Sequence, residues 1–321
     1  MIKKYPITKT EAGERLDLFL QKKIVDFSRN QIQEAIKKEK ILLNNLPSKS
    51  ATKLKTGDSV SVDFEYFEEL SKPMPLIAEK IPLTVLFEDN FILVIDKPTG
   101  MVVHPANGNL SGTLVNALLE YDPKISCSIN DNSKLAKMRP GIVHRLDKDT
   151  SGVIIVAKNS KSLSSLSKQL SSKKIIKNYT ALVFGNTPKS GKIESYLGRD
   201  KKNRKKIGIL NEANGKLAIT KYQKIKKINF AGEEFSLLLI EIPTGRTHQI
   251  RVQMKEIGYP VIGDQTYFTK DSKKISDQIS IKRQLLHACK IKFHHPQNDK
   301  ILEIESSLPA DFQKVIKLLT S

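Results

Sequence analysis

Two stretches of the chain crowd together the residue types used for acid, base and phosphate chemistry. The first is Arg139-Pro-Gly-Ile-Val-His-Arg-Leu-Asp-Lys-Asp-Thr-Ser-Gly152, which runs straight into the apolar segment Val153-Ile-Ile-Val-Ala-Lys158. Polar residues set between two apolar runs, with Gly152 as a turn residue, place Asp147 in a loop braced by sheet. A carboxylate on a rigid loop can act as a nucleophile, a base or a fixed negative charge. Asp147 or Asp149 can instead cap the turn through its own backbone, as short polar side chains do, and spacing leaves both readings open. The second stretch, Pro243-Thr-Gly-Arg-Thr-His-Gln-Ile-Arg-Val252, follows the apolar segment 235–242. Arg246, His248 and Arg251 project there from a turn entering a helix, a geometry that holds phosphates or pairs with a buried carboxylate. The plainer reading is a basic helix start. Tyr179, two residues after Lys177 at the head of a strand, presents a ring that can stack on a nucleobase or simply pack.

Absences narrow the chemistry. The chain has no phosphate-binding loop ending in Gly-Lys-Ser/Thr, no glycine-rich dinucleotide fingerprint and no Gly-x-Ser-x-Gly elbow, so these nucleotide and hydrolase chemistries have no motif to stand on. Of His104, His144, His248, His287, His294 and His295, none forms a helical pair around an acidic base, and no metal site is expected. Cys127 and Cys289 are too few for a disulfide framework or a cysteine-rich zinc site, which makes a reducing cytoplasm the expected compartment. Lys and Arg number 54 against 34 Asp and Glu, a formal charge of +20. A surplus of that size points to a polyanionic partner. No run of about 18 uncharged apolar residues is present to span a bilayer, and Met1 to Pro6 lacks the apolar stretch of a secretory signal.

These side chains need a scaffold, and 321 residues fit two modules of unequal size better than one. Leu16, Phe19, Leu20 and Ile24 fall on one stripe at helical spacing. Ser28 with Gln31 has the capping-box spacing for a second helix that turns Ile32, Ala35 and Ile36 inward. Asn44-Asn45 is a turn pair, and the alternating Val60, Val62 and Phe64 read as a half-buried strand. Residues 14–64 therefore form a small module whose lysines and Arg29 either make a basic face or simply solvate the helix surfaces. Acidic residues and Pro73, Pro75 and Pro82 mark 65–82 as a linker. In 83–321, apolar runs at 83–87 and 91–95 flank a turn like a hairpin. Further strands are expected at 153–156, 179–183 and 235–242, and helices at about 113–120, 160–171, 247–257 and 310–319. The strands come in groups with helices between, which gives an α+β class with a mixed, largely antiparallel sheet. The stretch 171–206 is rich in base and ends in Lys201-Lys-Asn-Arg-Lys-Lys206. It reads as a polyphosphate-binding or solvated loop, with Lys201, Lys202, Arg204 and Lys205 as phosphate contacts. Nothing demands more than a monomer.

Taken together, His144-Arg-Leu-Asp-Lys-Asp-Thr-Ser-Gly152, Lys177-Asn-Tyr-Thr-Ala-Leu-Val183, Thr244-Gly-Arg-Thr-His-Gln-Ile-Arg251 and Arg283-Gln-Leu-Leu-His-Ala288 resemble the RNA pseudouridine synthases of ribosomal and transfer RNA. Within that family the likeness is to the D-type synthases of the large ribosomal subunit. Lys97-Pro-Thr-Gly-Met-Val-Val-His-Pro105, Gly215-Lys-Leu-Ala-Ile-Thr220 and Gly258-Tyr-Pro-Val-Ile-Gly-Asp264 extend the likeness over about residues 83–310. Residues 14–64 resemble the small S-four-type RNA-binding module that often precedes such a catalytic domain.

The resemblance implies the pseudouridine synthase fold and an isomerisation of uridine in large-subunit ribosomal RNA, free or in the pre-ribosomal or assembled subunit. The uridine's glycosidic bond is cut, the base turns, and the sugar rejoins at ring carbon five, with no cofactor. It implies Asp147 as the catalytic carboxylate, Arg251 as its ion-pair partner, and Tyr179 packed against the uracil with a hydroxyl that assists proton removal. Arg145 would fill the gap left by the extruded base, with His144, Lys177, Arg246 and His248 as further RNA contacts and Ile250 and Leu286 as pocket walls. A guanidinium beside a carboxylate favours the ionised form. A different class of reading is a non-catalytic RNA-binding or ribosome-assembly protein. A glycosidase using Asp147 with Asp149 is disfavoured, because acids two apart in a tight turn do not face each other across a sugar.

Overall fold

Leu16, Phe19 and Leu20 line one face of helix α1 (Leu16–Lys23), Ile24 follows at its end, and all four are buried as their spacing predicts. The computed structural model describes residues 1–71, 76–105, 109–127, 139–200, 203 and 206–320, and divides into two units, Met1–Met74 and Pro75–Ser321. In the first, α1 and α2 (Arg29–Lys37) pack on an antiparallel sheet of β1 (Ile2–Pro6), β2 (Ile41–Leu43) and β3 (Ser59–Asp63), ordered β1-β3-β2. The Ser28–Gln31 capping box forms, and Ile32, Ala35 and Ile36 meet Val60 and Val62 in the core. Asp17 is fully buried; Arg15, Arg29 and Gln33 all donate to its carboxylate. Burial pushes this carboxyl up, but the hydrogen bonds from Arg15, Gln33 and Arg29 outweigh it and hold it at about 2. Its contribution to stability is therefore present at neutral pH and lost as the pH falls through that value. Phe64–Ser71 is a helix, α3, although the acidic composition of 65–82 reads as a linker, because Phe67 is buried in this unit's core.

The second unit is built on one ten-stranded sheet. Its strands are β4 (Thr84–Glu88), β5 (Ile92–Lys97), β6 (Ser151–Ala157), β7 (Ile176–Phe184), β8 (Ser190–Arg199), β9 (Ile207–Leu210), β10 (Lys216–Phe230), β11 (Glu233–Glu241), β12 (Leu286–His294) and β13 (Ile301–Glu305). They follow the order β4-β5-β6-β12-β7-β11-β10-β8-β9, with β13 on β12. Every pairing is antiparallel except β6 with β12, so the α+β class and the largely antiparallel sheet stand. Among the described residues its helices are α4 (Leu114–Tyr121), α5 (Lys124–Cys127), α6 (Ser160–Ser171), α7 (Gln249–Glu256), α8 (Lys270–Gln278) and α9 (Ala310–Thr320). The basic stretch 171–206 is mostly strand, not loop: β7 and β8 run through it because apolar residues alternate with its lysines.

Alternation along β7 sorts its side chains between two cores. Tyr179, Ala181 and Val183 join Ile240, Ile250 and Leu286 on the face covered by α7, while Leu182 faces Ile275, Phe312 and Val315 of α8 and α9. At the middle of the sheet β12 meets β6 through only His287 and Ala288, opposite Ser151 and Gly152. Gly152 has φ +112°, and a Cβ there would sit 2.2 Å from the Ala288 carbonyl oxygen. Only glycine lets the Asp147 loop enter β6 against that backbone. Gly152→Ala is expected to cost about 3 kcal/mol or more in urea unfolding, and a cost under about 1 kcal/mol would contradict this packing.

Candidate active site

Asp147 lies in the loop that feeds β6, and its backbone carbonyl closes the turn by accepting the Thr150 amide hydrogen. The side chain is thereby released from capping. Its Oδ2 accepts a 2.9 Å hydrogen bond from Nη1 of Arg251, which stands on α7. The other edge of the same guanidinium is held by Asp264, Nε donating to Oδ2 at 2.6 Å and Nη2 to Oδ1 at 3.0 Å. Asp264 also accepts the amides of Thr266 and Tyr267. Burial works against the Arg251 charge, but Asp264 and then Asp147 outweigh it and raise its pKa. One cation thus faces two anions. Asp264 is fully buried, whereas the Asp147 side chain keeps 17% of its surface exposed, so the uncompensated negative charge points into the cleft.

That cleft encloses about 510 Å³ and is lined by Asp147, Tyr179 and Arg251, by Arg145, His144, Lys177, Arg246 and His248, and by Ile250 and Leu286. Every described candidate from the sequence lies in this one place; Lys201, Lys202, Arg204 and Lys205 fall outside the described residues. Arg145 and Arg246 are exposed, and Arg246 is steadied by donating Nε to the Leu217 carbonyl at 3.0 Å. Ile250 and Leu286 are buried apolar walls. Lys177 is 7% exposed, and its Nζ has no hydrogen-bond partner among the described residues. Burial, and then Arg246, lower it to about 8.

Burial reinforces the uncharged form of three candidates. Burial and then the charge of Asp147 raise the pKa of Tyr179, so its phenol stays protonated at neutral pH and supplies a wall and a donor rather than a base. His144 accepts the Ile155 amide hydrogen on Nε2 at 3.0 Å, and burial and then Lys177 hold it at about 3, so it braces the loop as a neutral ring and offers no charge to a phosphate. His248 caps α7 with a left-handed backbone, φ 53°. Its Nδ1 lies 2.9 Å from the Tyr267 hydroxyl, which also accepts the Ile207 amide hydrogen at 2.8 Å. Burial lowers His248, opposed by the charge of Asp147, whose Oδ1 lies 3.9 Å from the ring's Nε2. A left-handed residue of this kind costs roughly 1–2 kcal/mol and collects at functional sites.

The sequence reading missed two supports. Asp264 closes the motif Gly258–Asp264, and Lys97 opens the motif 97–105, but neither was given a role. Lys97 is fully buried and donates to the carbonyls of Pro98 (2.7 Å), Met101 (2.9 Å) and Lys148 (3.1 Å), the last next to Asp147. Burial lowers it to about 8, opposed by Asp149 and Asp147. The available signal was a lysine ending the wholly buried run Ile92 to Ile95.

The fold and the cleft belong to an RNA-modifying isomerase. A family model described as RNA pseudouridylate synthase matches residues 91–256, and the chain belongs to the RNA pseudouridine synthase family. It is 39% identical over 310 residues to "Uncharacterized RNA pseudouridine synthase YlyB" of Bacillus subtilis, covering 96% of this chain and 95% of that protein. It is 36% identical over 310 residues to "Ribosomal large subunit pseudouridine synthase D" of Nitrosomonas europaea, covering 96% and 85%. The fold matches that of "Human RNA Pseudouridylate Synthase Domain Containing 1" with a TM-score of 0.55 at 23% identity, covering 77% of this chain and 97% of that one.

If Asp264 sets the Arg251 guanidinium, Asp264→Asn leaves a buried cation half paired. The expected result is a loss of about 3 kcal/mol of stability and a fall of about ten-fold or more in pseudouridine formation. Unchanged rate and melting temperature would contradict that assignment.

Proposed function

We propose that this chain isomerises uridines of large-subunit ribosomal RNA to pseudouridine, with Asp147 as the catalytic carboxylate. The observation that carries this is the Asp147–Arg251 pair, a partly exposed anion fixed by a buried cation in a basic cleft. The target class is supported by the relatives named large-subunit synthase D in Nitrosomonas europaea, Zymomonas mobilis and Neisseria meningitidis. The base must leave its stack, at a cost of a few kcal/mol that is least in a loop. Exposed Arg145 fills the vacated space, and Lys177, Arg246 and His248 contact the RNA around the extruded nucleotide. Breaking the bond between the sugar and ring nitrogen one places positive character on the sugar, which the Asp147 anion stabilises or traps. The uracil turns against Tyr179 between Ile250 and Leu286, the sugar joins carbon five, and the proton of that carbon is released while ring nitrogen one takes one up. The atoms balance without cofactor, metal or redox step.

The first unit, Met1–Met74, which contains residues 14–64, acts as an S-four-like RNA-binding module, and Pro75–Ser321 as the catalytic unit. Lys22, Lys23, Lys37, Lys38, Lys40, Lys49, Lys53 and Lys55 are exposed there, which supports a phosphate-facing role. The basic residues Lys201, Lys202, Arg204 and Lys205 of the sequence add to the same positive charge. The protein works as a cytoplasmic monomer on free RNA or on the pre-ribosomal or assembled subunit, and the formal charge of +20 suits that partner.

Mapping pseudouridine in ribosomal RNA from cells with and without this chain tests the target: sites in the large-subunit RNA should vanish, and losses confined to transfer or messenger RNA would overturn it. Lys177 gives a pH signature. Its charge is present below about 8 and lost above it, so affinity for ribosomal RNA should fall as pH rises from 7 to 9. The Lys177→Met variant, which keeps every other titrating group, should show a smaller fall; an identical fall in both proteins would remove Lys177 from the RNA contact.

A further inference from the structure

The residues that follow Asp147 are held by side chains from one distant segment. Arg283 Nη1 donates to the Asp149 carbonyl at 3.3 Å, Gln284 Nε2 to Thr150 Oγ1 at 3.2 Å, and His287 Nδ1 lies 2.9 Å from Ser151 Oγ. The same segment also abuts the other half of the catalytic pair. A Cβ on Gly263, the neighbour of Asp264, would lie 1.9 Å from the Arg283 carbonyl oxygen, and the Leu285 amide donates to the Ile262 carbonyl at 2.8 Å. Residues 283–287 therefore touch both the loop of Asp147 and the turn that carries Asp264, the partner of Arg251.

Within that segment Arg283 is fully committed. Besides Asp149 and its neighbour Gln284, it forms a two-pronged ion pair with Asp311 in the first turn of α9, Nε to Oδ2 at 2.5 Å and Nη2 to Oδ1 at 2.7 Å. A guanidinium with these partners sits in one orientation, because bidentate pairing fixes the plane of the fork. Asp311 fixes the fork and the fork fixes Asp149, two residues from the reacting carboxylate.

We propose that Arg283 is a positioning residue for Asp147, and that Asp311 makes helix α9 part of the active-site framework by orienting Arg283. The proposal rests on Asp147 being the catalytic carboxylate. A plainer role, in which the ion pair only docks α9, would affect stability alone.

The test uses the full chain and bulk RNA from cells lacking the protein, with enzyme in excess. It reads the single-turnover rate of pseudouridine formation, the enzyme concentration at half saturation, and the melting temperature. Asp311→Asn should lower the rate about ten-fold with half saturation unchanged within about two-fold, and Asp311→Glu should recover much of the rate. Arg283→Glu combined with Asp311→Arg re-forms a pair but cannot donate to the Asp149 carbonyl, so melting temperature should return while the rate stays low. Recovery of rate together with melting temperature in that reversal, or an effect of Asp311→Asn on half saturation alone, would overturn the proposal. Asp147→Asn run beside these separates the two levels. Full activity there removes the catalytic reading and the proposal with it, whereas an inactive Asp147→Asn beside a fully active Asp311→Asn removes the positioning role alone.

Discussion

The guanidinium of Arg251 touches two carboxylates at once, and the two are not equivalent. Asp264 is sealed in the protein with its oxygens used by Arg251 and by two backbone amides, so it serves as the permanent counter-charge. Asp147 makes a single hydrogen bond to the same cation and turns its remaining oxygen toward the cleft. A buried cation that lost one of these partners would destabilise the fold by several kcal/mol. The position of Asp147 is thus tied to the stability of the catalytic unit.

This arrangement explains how charge is divided in the cleft. Histidines near the carboxylate are neutral, because burial lowers His144 and His248. Positive charge comes instead from exposed Arg145 and Arg246 at the surface and from Lys177 in the wall. The cleft thus offers guanidinium and ammonium groups to a polyanion, while Asp147 has one cation in hydrogen-bond contact among the described residues. The apolar walls Ile250 and Leu286 lower the local dielectric, which strengthens each of these interactions.

The parts of the fold legible in the sequence were those with a local period or cap. The apolar stripe of α1, the Ser28–Gln31 box of α2 and the β4–β5 hairpin are each settled by residues a few positions apart. The cleft residues were legible because they sit in dense polar motifs beside strong apolar runs. What stayed hidden depends on distant partners. Asp264 meets Arg251 across a turn, Lys97 reaches Lys148 from another strand, and Arg283 reaches Asp149 across 134 positions. The helix Phe64–Ser71 was masked by its glutamates, and the lysines of β10 obscured a fifteen-residue strand whose inward positions are Ala218, Thr220 and Tyr222. In both, burial of one face outweighs composition.

A structure of the enzyme bound to an RNA hairpin carrying a target uridine tests the central claim most directly. The account predicts that the uridine is extruded into the cleft with its sugar's anomeric carbon within about 3.5 Å of an Asp147 carboxylate oxygen, while Arg251 keeps its contacts to Asp147 and Asp264. A uridine still stacked in the hairpin, or a sugar addressed by another side chain with Asp147 turned away, would contradict it.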